Sequence, residues 1–210
     1  MYKVTLSMPC WGRPFRTKRA IENILSQDLV GWQALIGGDD CPEFYKLIDS
    51  RWLPEMSEKA KLQGNSLEYY QWIPHSGSCG YAITNSNIQS AEGEYLLFMG
   101  NDDVILPTHF SHYYSYIKES GLDYMWFNSF LHPINQVRNS KLAPSEIGHS
   151  ELICRTELAK KAPPHLPKYG HDWDFFRFLM ENGKGAKAES PHTTYYVMSI
   201  PGFGSRDKKD

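Results

Sequence analysis

The sequence predicts an α/β domain, a mixed sheet flanked by helices, from three observations. Short apolar runs alternate with amphipathic stretches, which is typical of strands joined by crossover helices. The run at 95–99 is apolar throughout, as expected of a central strand that is buried on both faces. Acidic pairs directly follow two of the runs, and open α/β sheets bind ligands at the carboxyl ends of their strands.

The first half of the chain alternates predicted strands and helices. The run at 4–8 predicts a strand that ends at Pro9. Pro14 is typical of the first turn of a helix, and the apolar stripe that follows it continues to Gln27. The next predicted elements are a strand at 32–36 closed by Gly37 and Gly38, a helical region at 42–64 broken at Pro54, a strand at 67–73, a loop at 77–80 and a helix at 81–91.

The second half predicts shorter elements, and the chain length fits one domain. We assign that domain to 1–205, followed by a short tail at 206–210. The predicted elements after the strand at 95–99 are a helix at 107–120, a strand at 124–131, a polar excursion at 133–144, a short strand at 152–154, a helix at 172–182 with Phe175, Phe176, Leu179 and Met180 toward the core, and a strand at 195–200.

Composition excludes several classes of protein. The net charge of −2 provides no basic field of the kind that drives nucleic-acid binding. No apolar run approaches the roughly 20 residues that span a bilayer, so we expect a soluble chain without integral membrane association. No Cys-x-x-Cys pair is present, which favours free thiols and a cytoplasmic location. The four cysteines are Cys10, Cys41, Cys79 and Cys154.

Two acidic pairs suggest a functional site. Asp39–Asp40 and Asp102–Asp103 each follow a predicted apolar strand. Because the carboxyl ends of parallel strands meet at one edge of a sheet, we expect the two pairs to be neighbours in one crevice. The alternative is that both pairs are turns, since Asp favours turns and helix caps. Both pairs occurring after apolar strands favours the functional interpretation.

Four segments, taken in order, resemble the family 2 glycosyltransferases. They run over most of the chain, from about residue 3 to 205, and the third is the most specific. The resemblance implies an inverting enzyme with a GT-A type fold, a nucleotide-binding, Rossmann-like mixed sheet. The segments are VTLSMPCWGRPFRTKRAIENILSQ, ALIGGDDCP, GYAITNSNIQSAEGEYLLFMGNDDVILP and GHDWDFFRFLM.

The resemblance implies roles for residues of the nucleotide site. Trp11 matches an aromatic residue that packs against the nucleotide base, and Pro9 and Arg13 frame the same loop. Asp39 or Asp40 matches a carboxylate that accepts a hydrogen bond from the base, and the sequence does not choose between them. The implied donor is a nucleotide-diphosphate sugar, with a UDP-sugar favoured.

The resemblance also implies the metal and catalytic residues. Asn101 matches a position that contacts the ribose or metal, and Asp102, with Asp103 beside it, matches the metal carboxylate. The implied cofactor is a divalent Mn²⁺ or Mg²⁺, which carboxylates and phosphate oxygens hold together. Asp172 matches the general base that takes the proton of an acceptor hydroxyl, on a saccharide or another molecule, during in-line attack.

The sequence departs from the family pattern around these residues. The metal motif usually has a further acidic residue near Gly100 or Asn101, so we expect metal affinity to be weak without the nucleotide. Thr84 stands where an arginine usually precedes the asparagine, and His171 stands where an acidic residue often precedes the base. Two alternatives stay open. A nucleotidyltransferase can use a similar sheet, metal motif and nucleotide pocket, and the weakened metal motif leaves room for a non-catalytic sugar- or nucleotide-binding module of the same fold.

Histidines and the tail give secondary hypotheses. His109 and His112 are expected to be packing or surface residues. A third metal ligand is hypothesised among His149, His171 and His192. The tail, with Arg206, Lys208 and Lys209, either forms a flap over the diphosphate or is a frayed terminus.

Overall fold

The computed structural model describes residues 1–77, 80–168, 170–190 and 193–198. Within them the chain forms a seven-stranded mixed sheet, a smaller four-stranded sheet and flanking helices. The helices are α1 (Pro14–Leu25), α2 (Pro42–Asp49), α3 (Trp52–Leu62), α4 (Tyr81–Ser90), α5 (His109–Ser120), α6 (Thr156–Ala159) and α7 (His171–Asn182). The predicted α/β class is confirmed.

The large sheet has a parallel half and a mixed half. Its strands are β1 (Tyr2–Cys10), β2 (Trp32–Asp39), β3 (Ser66–Trp72), β4 (Gly93–Phe98), β6 (Tyr124–Trp126), β9 (Leu152–Arg155) and β10 (Gly185–Lys187). Their order is β10-β6-β9-β4-β1-β2-β3. β1 pairs in parallel with β2 and β4, and β2 with β3, whereas β9 is antiparallel to β4 and β6. The carboxyl ends of β1, β2, β3 and β4 therefore share one edge.

The small sheet extends the fold beyond the carboxyl end of β4. Its strands are β5 (Val104–Ile105), β7 (Ser129–Leu131), β8 (Gln136–Arg138) and β11 (Tyr195–Val197), in the order β5-β11-β7-β8. β11 is antiparallel to β5 and parallel to β7. This sheet brings the late segment 194–198 next to the acidic turn that follows β4.

The central strand β1 is buried on both faces, although its sequence alternates apolar and polar residues. Thr5 and Ser7 are fully buried. The Thr5 hydroxyl donates to Gln33 Oε1 at 2.8 Å, and Asn87 Nδ2 donates to Ser7 Oγ at 3.0 Å. Because buried polar groups require partners, these bonds make the polar face of β1 compatible with a central position.

Gly37 and Gly38 do not close the second strand, which continues through them to Asp39. A Cβ at Gly37 would lie 2.5 Å from Ile83 Cγ2, and one at Gly38 would lie 2.5 Å from Phe44 Cδ1. The glycines therefore permit close approach of α4 and α2 to the sheet. Because of this extension, Asp39 is the last residue of β2.

The predicted break in the helical region at 42–64 is also wrong. The break in the 42–64 region occurs at Ser50 and Arg51, with Arg51 at φ 65°, and Pro54 is the third residue of α3. A proline is tolerated there because the first amides of a helix have no intrahelical acceptor.

The predicted strand at 124–131 is two strands, β6 and β7, in different sheets. Buried Glu151 lies at the point where the chain changes sheets. Its carboxylate accepts hydrogen bonds from the Ser129 hydroxyl and from the Ser140 hydroxyl. In α7, Phe175, Phe176 and Leu179 are buried as predicted, but Met180 is 41% exposed. The predicted last strand spans only Tyr195–Val197 among the described residues.

Candidate active site

A cavity of about 510 Å³ lies at the carboxyl edge of the parallel strands. Most of the predicted nucleotide and metal residues line it. The lining includes Pro9, Trp11, Arg13, Asp39, Asn101 and Asp102, together with Cys10, His75, Gly77, Gly80 and Gly100. The structure therefore brings the ends of β1, β2 and β4 to one crevice, as predicted. We call it the donor cavity.

One end of the donor cavity has an aromatic surface beside a buried carboxylate. The Trp11 ring stacks on His75 at a centroid distance of 5.7 Å and is 63% exposed. Asp39 is 2% exposed and accepts hydrogen bonds from the Ser76 amide at 2.7 Å and the Ser76 hydroxyl at 3.0 Å. His75 Nδ1 lies 3.0 Å from Asp39 Oδ2. A carboxylate has about four acceptor sites, so Asp39 retains capacity for a ligand.

Asp39 and Asp40 have different surroundings. Asp40 is exposed at φ 47° and is not among the residues that line the donor cavity. Its amide donates to the Trp72 carbonyl at 2.9 Å, which continues the β2–β3 pairing by one residue. The structure thus separates the two carboxylates that the sequence left as alternatives, with Asp39 in the cavity and Asp40 at its outer edge.

Three arginines of the β1–α1 segment converge on Asp102. Arg13 pairs with Asp102 Oδ2, Arg16 Nη1 lies 3.7 Å from the same oxygen, and Arg19 Nη2 donates to the Asp102 carbonyl at 2.7 Å. Pro14 starts α1 directly after Arg13, so the first turns of the helix project these side chains toward the end of β4. Cationic side chains are therefore present in this crevice, although the sequence pointed only to Arg13.

Asp103 faces away from the arginines toward the small sheet. The Tyr195 hydroxyl donates to Asp103 Oδ2 at 2.7 Å, and the Met198 amide donates to Asp103 Oδ1 at 3.0 Å. Burial, and then the charge of Asp102, raise the pKa of Asp103 to about 7. The charge repulsion shows that the two carboxyl groups are close enough to disfavour a second negative charge.

The geometry of this acidic pair fits a hard divalent cation. Asp103 Oδ2 and Asp102 Oδ1 lie 2.8 and 3.2 Å from the point that a Cβ at Gly100 would occupy. Oxygen atoms from two carboxylates thus approach a single point beside the cavity, and a cation would relieve their repulsion. Asn101, directly before them in the chain, is buried, and its side-chain amide donates to Thr17 Oγ1 at 2.9 Å.

A second cavity, of about 580 Å³, adjoins the first, and Pro9 and Gly100 line both. We call it the acceptor-side cavity. Asp103 and Asp172 line it, as does Trp173, which follows the predicted base. Its remaining lining comes largely from the loop before β9 and the start of α7, including Arg138, Ile147, His149, Ser150, Gly170 and His171.

Asp172 has the environment of a carboxylate with raised basicity. It is the second residue of α7, and Gly170 at φ 76° turns the chain into the helix. Partial burial raises the pKa of Asp172, and the neighbouring His171 opposes that rise. A higher pKa makes a carboxylate a better proton acceptor near neutral pH.

A cluster of three histidines forms part of the wall beside Asp172. His149, His165 and His171 each direct a ring nitrogen toward the others, and these nitrogens lie within 4.8 Å of one another. The hypothesis of a third metal ligand included His149 and His171, which do come together. His165 was missed because its segment contains no recognisable motif, and His192 lies outside the described residues.

Other predictions have mixed outcomes among the described residues. His109 is a packing residue, as expected: it is fully buried, lies 2.8 Å from Thr194 Oγ1, and burial lowers its pKa to about 3. Cys10, Cys41 and Cys154 are free thiols. Cys79 and the tail with Arg206, Lys208 and Lys209 lie outside the described residues, so the flap hypothesis stays untested.

Solved structures, including one of a mannosyltransferase, share this architecture. S. aureus TarS, residues 1–349 in complex with UDP, superimposes with a TM-score of 0.72 over 95% of this chain and 61% of that one, at 18% identity. A mannosyltransferase, PcManGT from Pyrobaculum calidifontis in complex with GDP-Man and Mn²⁺, gives a TM-score of 0.70 over 94% of this chain and 57% of that one, at 13% identity. The chain has the GT-A fold. The predicted fold is confirmed.

Sequence comparison gives a relative over part of the GT-A domain. The colanic acid biosynthesis glycosyl transferase WcaA of Escherichia coli (strain K12) is 30% identical over 108 residues. These residues make up 51% of this chain. The chain spans about a third of that relative, 35%, and about three fifths of the solved structures. No family model matches the chain. No helix in the described part of the GT-A domain is long and apolar enough to span a bilayer.

Proposed function

We propose that this chain transfers a sugar from a nucleotide-diphosphate sugar to an acceptor hydroxyl. The observation that carries the proposal is the pair of adjoining cavities that share Pro9 and Gly100. The donor cavity contains Asp39, Asp102 and Arg13, which are suited to a nucleoside diphosphate and a cation, and the acceptor-side cavity contains Asp172. Transfer between two substrates requires two such sites within reach of each other.

The donor cavity offers a partner for each part of a nucleoside diphosphate. Trp11 presents an exposed ring on which a base can stack, and Asp39 can accept a hydrogen bond from a base N–H group. Arg13 and Arg16 lie at the far side, next to Asp102, where guanidinium groups can bind phosphate oxygens. Asn101, which also lines the donor cavity, is suited to the ribose or to a phosphate oxygen.

Asp102 and Asp103 fit a divalent cation of the Mn²⁺ or Mg²⁺ type. When bound with the donor, such a cation neutralises negative charge on the departing diphosphate. Asp102 pairs with Arg13 in this structure, so loading the site requires the carboxylate to release that arginine. The released guanidinium is then available to the diphosphate, and we therefore expect metal and donor to bind together.

Asp172 is proposed as the general base. Asp172 lines the acceptor-side cavity, which shares Pro9 and Gly100 with the donor cavity. A base in that position removes the proton of the acceptor hydroxyl as its oxygen attacks the anomeric carbon from the face opposite the diphosphate. Such an in-line displacement inverts the anomeric configuration. Trp173, in the same wall, is suited to pack against an acceptor sugar ring.

The comparisons support the substrate classes. TarS was solved with UDP and with UDP-GlcNAc, and PcManGT with GDP-Man and Mn²⁺. For this chain we favour a UDP-sugar donor and a saccharide acceptor, in a single GT-A domain at 1–205 that acts in the cytoplasm. A non-catalytic sugar- or nucleotide-binding module of the same fold is the outcome that the following experiment separates from an enzyme.

The test is calorimetric titration of UDP, GDP, CDP and TDP, each with and without Mn²⁺. We expect one diphosphate to bind more tightly with Mn²⁺, and Asp102→Asn to remove that enhancement. Asp39→Asn should weaken binding about tenfold or more, since a hydrogen bond to a charged group contributes about 1.5–3 kcal/mol. Asp40→Asn is the matched control, because the Asp40 carboxylate is adjacent in sequence but exposed, and it does not line the donor cavity.

Each result discriminates between hypotheses. Binding of no diphosphate under either condition would contradict the donor site. The binding module would be favoured if a diphosphate binds but the matching nucleotide sugar is neither hydrolysed nor used for transfer to any saccharide of an acceptor panel. Release of pyrophosphate from a nucleoside triphosphate and a sugar phosphate would identify the nucleotidyltransferase alternative.

A further inference from the structure

The histidine cluster beside Asp172 joins three separate segments of the chain. His149 begins the short 3-10 turn before β9, His165 belongs to the loop at 163–168, and His171 is the first residue of α7. Aromatic packing fixes two of the rings. Phe98 stacks on His149 at a centroid distance of 4.8 Å, and Phe175 stacks on His165 at 5.2 Å. The ring positions are therefore set by the core beneath them.

Hydrogen bonds fix the tautomer of His165. Its Nδ1 lies 2.8 Å from Asn85 Oδ1, which also accepts the His165 amide at 2.8 Å. Asn85 Nδ2 in turn donates to the His165 carbonyl at 3.0 Å, which orients the side-chain amide. Since Asn85 Oδ1 only accepts, His165 Nδ1 carries the proton. The Nε2 atom of His165 therefore carries a lone pair directed into the cluster, where it accepts from His149 Nε2.

The two remaining histidines face that lone pair. His149 Nε2 lies 2.9 Å from His165 Nε2. His171 is 7% exposed, and its Nδ1 atom is buried without a hydrogen-bond partner among the described residues. A buried, unpaired nitrogen costs free energy unless a ligand satisfies it. Three imidazoles thus converge, and the Nδ1 atom of one of them has no hydrogen-bond partner in the part of the chain that the structure describes.

All three imidazoles are held in the neutral form that binds metals. Burial lowers the pKa of His165 to about 4, and it lowers the pKa values of His149 and His171 as well. The neighbouring imidazoles lower the pKa of His149 further. A neutral imidazole with its other N–H bonded to an amide or carboxylate oxygen is the usual arrangement of a histidine ligand.

We propose that His149, His165 and His171 form a site for a transition-metal ion of the Zn²⁺ class. Three nitrogen ligands favour Zn²⁺, Co²⁺, Ni²⁺ or Cu²⁺ over the hard Mn²⁺ and Mg²⁺ that suit Asp102 and Asp103. On a tetrahedral ion with Zn–N bonds of about 2.0–2.1 Å, two ligand nitrogens lie roughly 3.3 Å apart. The His149–His165 separation needs to open only slightly to reach that value.

The proposed site has an open side and a place next to the base. His149 and His171 line the acceptor-side cavity, so the fourth position faces that space and takes water or a substrate oxygen. The ion would tie the 149–151 turn, the 163–168 loop and the start of α7 together. Because Asp172 follows His171 directly, the cluster acts as a positioning device for the proposed base.

The test is titration of the untagged, chelator-treated chain with Co²⁺, followed by displacement with Zn²⁺. We expect one equivalent of Co²⁺ to give the intense visible absorption of a four-coordinate ion, and Zn²⁺ to abolish it. His149→Gln and His165→Gln should each weaken binding by about a hundredfold or more. Asn85→Ala, which removes only the partner of His165, should weaken it by about 10–100-fold.

Two controls make the result specific. His132→Gln changes an exposed histidine and should leave the Co²⁺ spectrum and affinity unchanged. Asp102→Asn alters the proposed donor-side metal and should also leave the spectrum unchanged, so this test stands even where no nucleotide binds. The absence of the absorption band, or its loss in Asp102→Asn and persistence in His165→Gln, would overturn the proposal. Circular dichroism identifies any variant that fails to fold, and Asn85→Ala then decides.

Discussion

The two adjoining cavities are built from different kinds of charge. In the donor cavity, Asp102 is surrounded by Arg13, Arg16 and Arg19, so permanent positive and negative charges are paired. In the acceptor-side cavity, His149 and His171, whose pKa values are lowered by burial, line the wall with Asp172, and Asp103 and Arg138 are also in the lining. One cavity is thus suited to a ligand that brings its own charge, and the other to a neutral ligand that gives up a proton.

This difference indicates where each half of the proposed reaction finds its stabilisation. A diphosphate exchanges water for guanidinium groups and carboxylate-bound cations, which requires fixed charges. An acceptor hydroxyl needs a single proton acceptor in a site with little competing charge. Asp172 supplies such an acceptor, because partial burial raises its pKa by more than His171 and Arg138 lower it.

The largest expected effect comes from the base. Asp172→Asn removes the proton acceptor and should lower kcat for sugar transfer by about 10²–10⁴-fold. The dissociation constant for the nucleoside diphosphate should stay within about twofold, because Asp172 lines the other cavity. Steady-state kinetics and calorimetry measure the two quantities.

Asp174→Asn is the matched control for the base, two residues further along α7. Asp174 pairs with Lys168 at 2.6 Å and with Arg177 at 3.4 Å, and it is not among the lining of either cavity. Its kcat should remain near that of the unmodified chain. Equal losses in both variants would mean that the charge at the start of α7 matters, rather than a base at residue 172.

A smaller effect distinguishes the cations of the two cavities. Arg13→Gln should weaken nucleoside diphosphate binding by about 10–100-fold, since hydrogen bonds to charged groups contribute about 1.5–3 kcal/mol. Arg138→Gln should leave that affinity unchanged, because Arg138 lines the acceptor-side cavity and lies 3.6 Å from Glu151 Oε2. A similar loss of affinity in both variants would remove the distinction between the cavities.

The smallest effect tests whether buried imidazoles are neutral in this fold, at His109, which is outside the proposed metal site. Its pKa is about 3 in the folded chain and about 6.5 when unfolded, so the unfolded state binds the extra proton first. The stabilisation is complete above pH 6.5 and is lost as pH falls, by about 1.4 kcal/mol per unit. His109→Gln should have a shallower fall in the free energy of unfolding between pH 6 and 4.

Urea unfolding at several pH values, in the presence of chelator, measures this slope. His132→Gln is the matched control, because it makes the same substitution at a histidine that is exposed in the folded chain. If His109→Gln and the unmodified chain have parallel slopes, His109 is protonated within the fold and the neutral interpretation fails.

The parallel half of the molecule was the more predictable part. Strand patterns there end in recognisable residues, Pro9, Asp39 and Asp102, and parallel pairing guarantees that such ends meet. The errors at Gly37 and Gly38 arose because glycine signals both a turn and close packing. Only the positions of Ile83 and Phe44 decide between these, and both come from helices elsewhere in the chain.

The other half could not be predicted to the same extent because its contacts are non-local. Buried Glu151 accepts hydrogen bonds from Ser129, in a three-residue strand that is too short to show a period, and from Ser140, which lies outside any strand. His165 acquires its role through Asn85, which is 80 residues away. Similarly, Tyr195 reaches Asp103 across 92 residues. No local pattern encodes such pairs, so a sequence taken alone indicates the residue types but not the partners.

The boundary between the cavities has a consequence for timing. Pro9 and Gly100 are the residues common to both, and neither has a side chain that can swing between two positions. At these two residues, therefore, no side chain of the described part of the chain can act as a gate. In the proposed reaction, any ordering of events comes from the substrates or from other parts of the chain. A side chain at residue 100 would press on both Asp102 and Asp103. A substitution there therefore cannot alter the donor cavity without also altering the acceptor-side cavity.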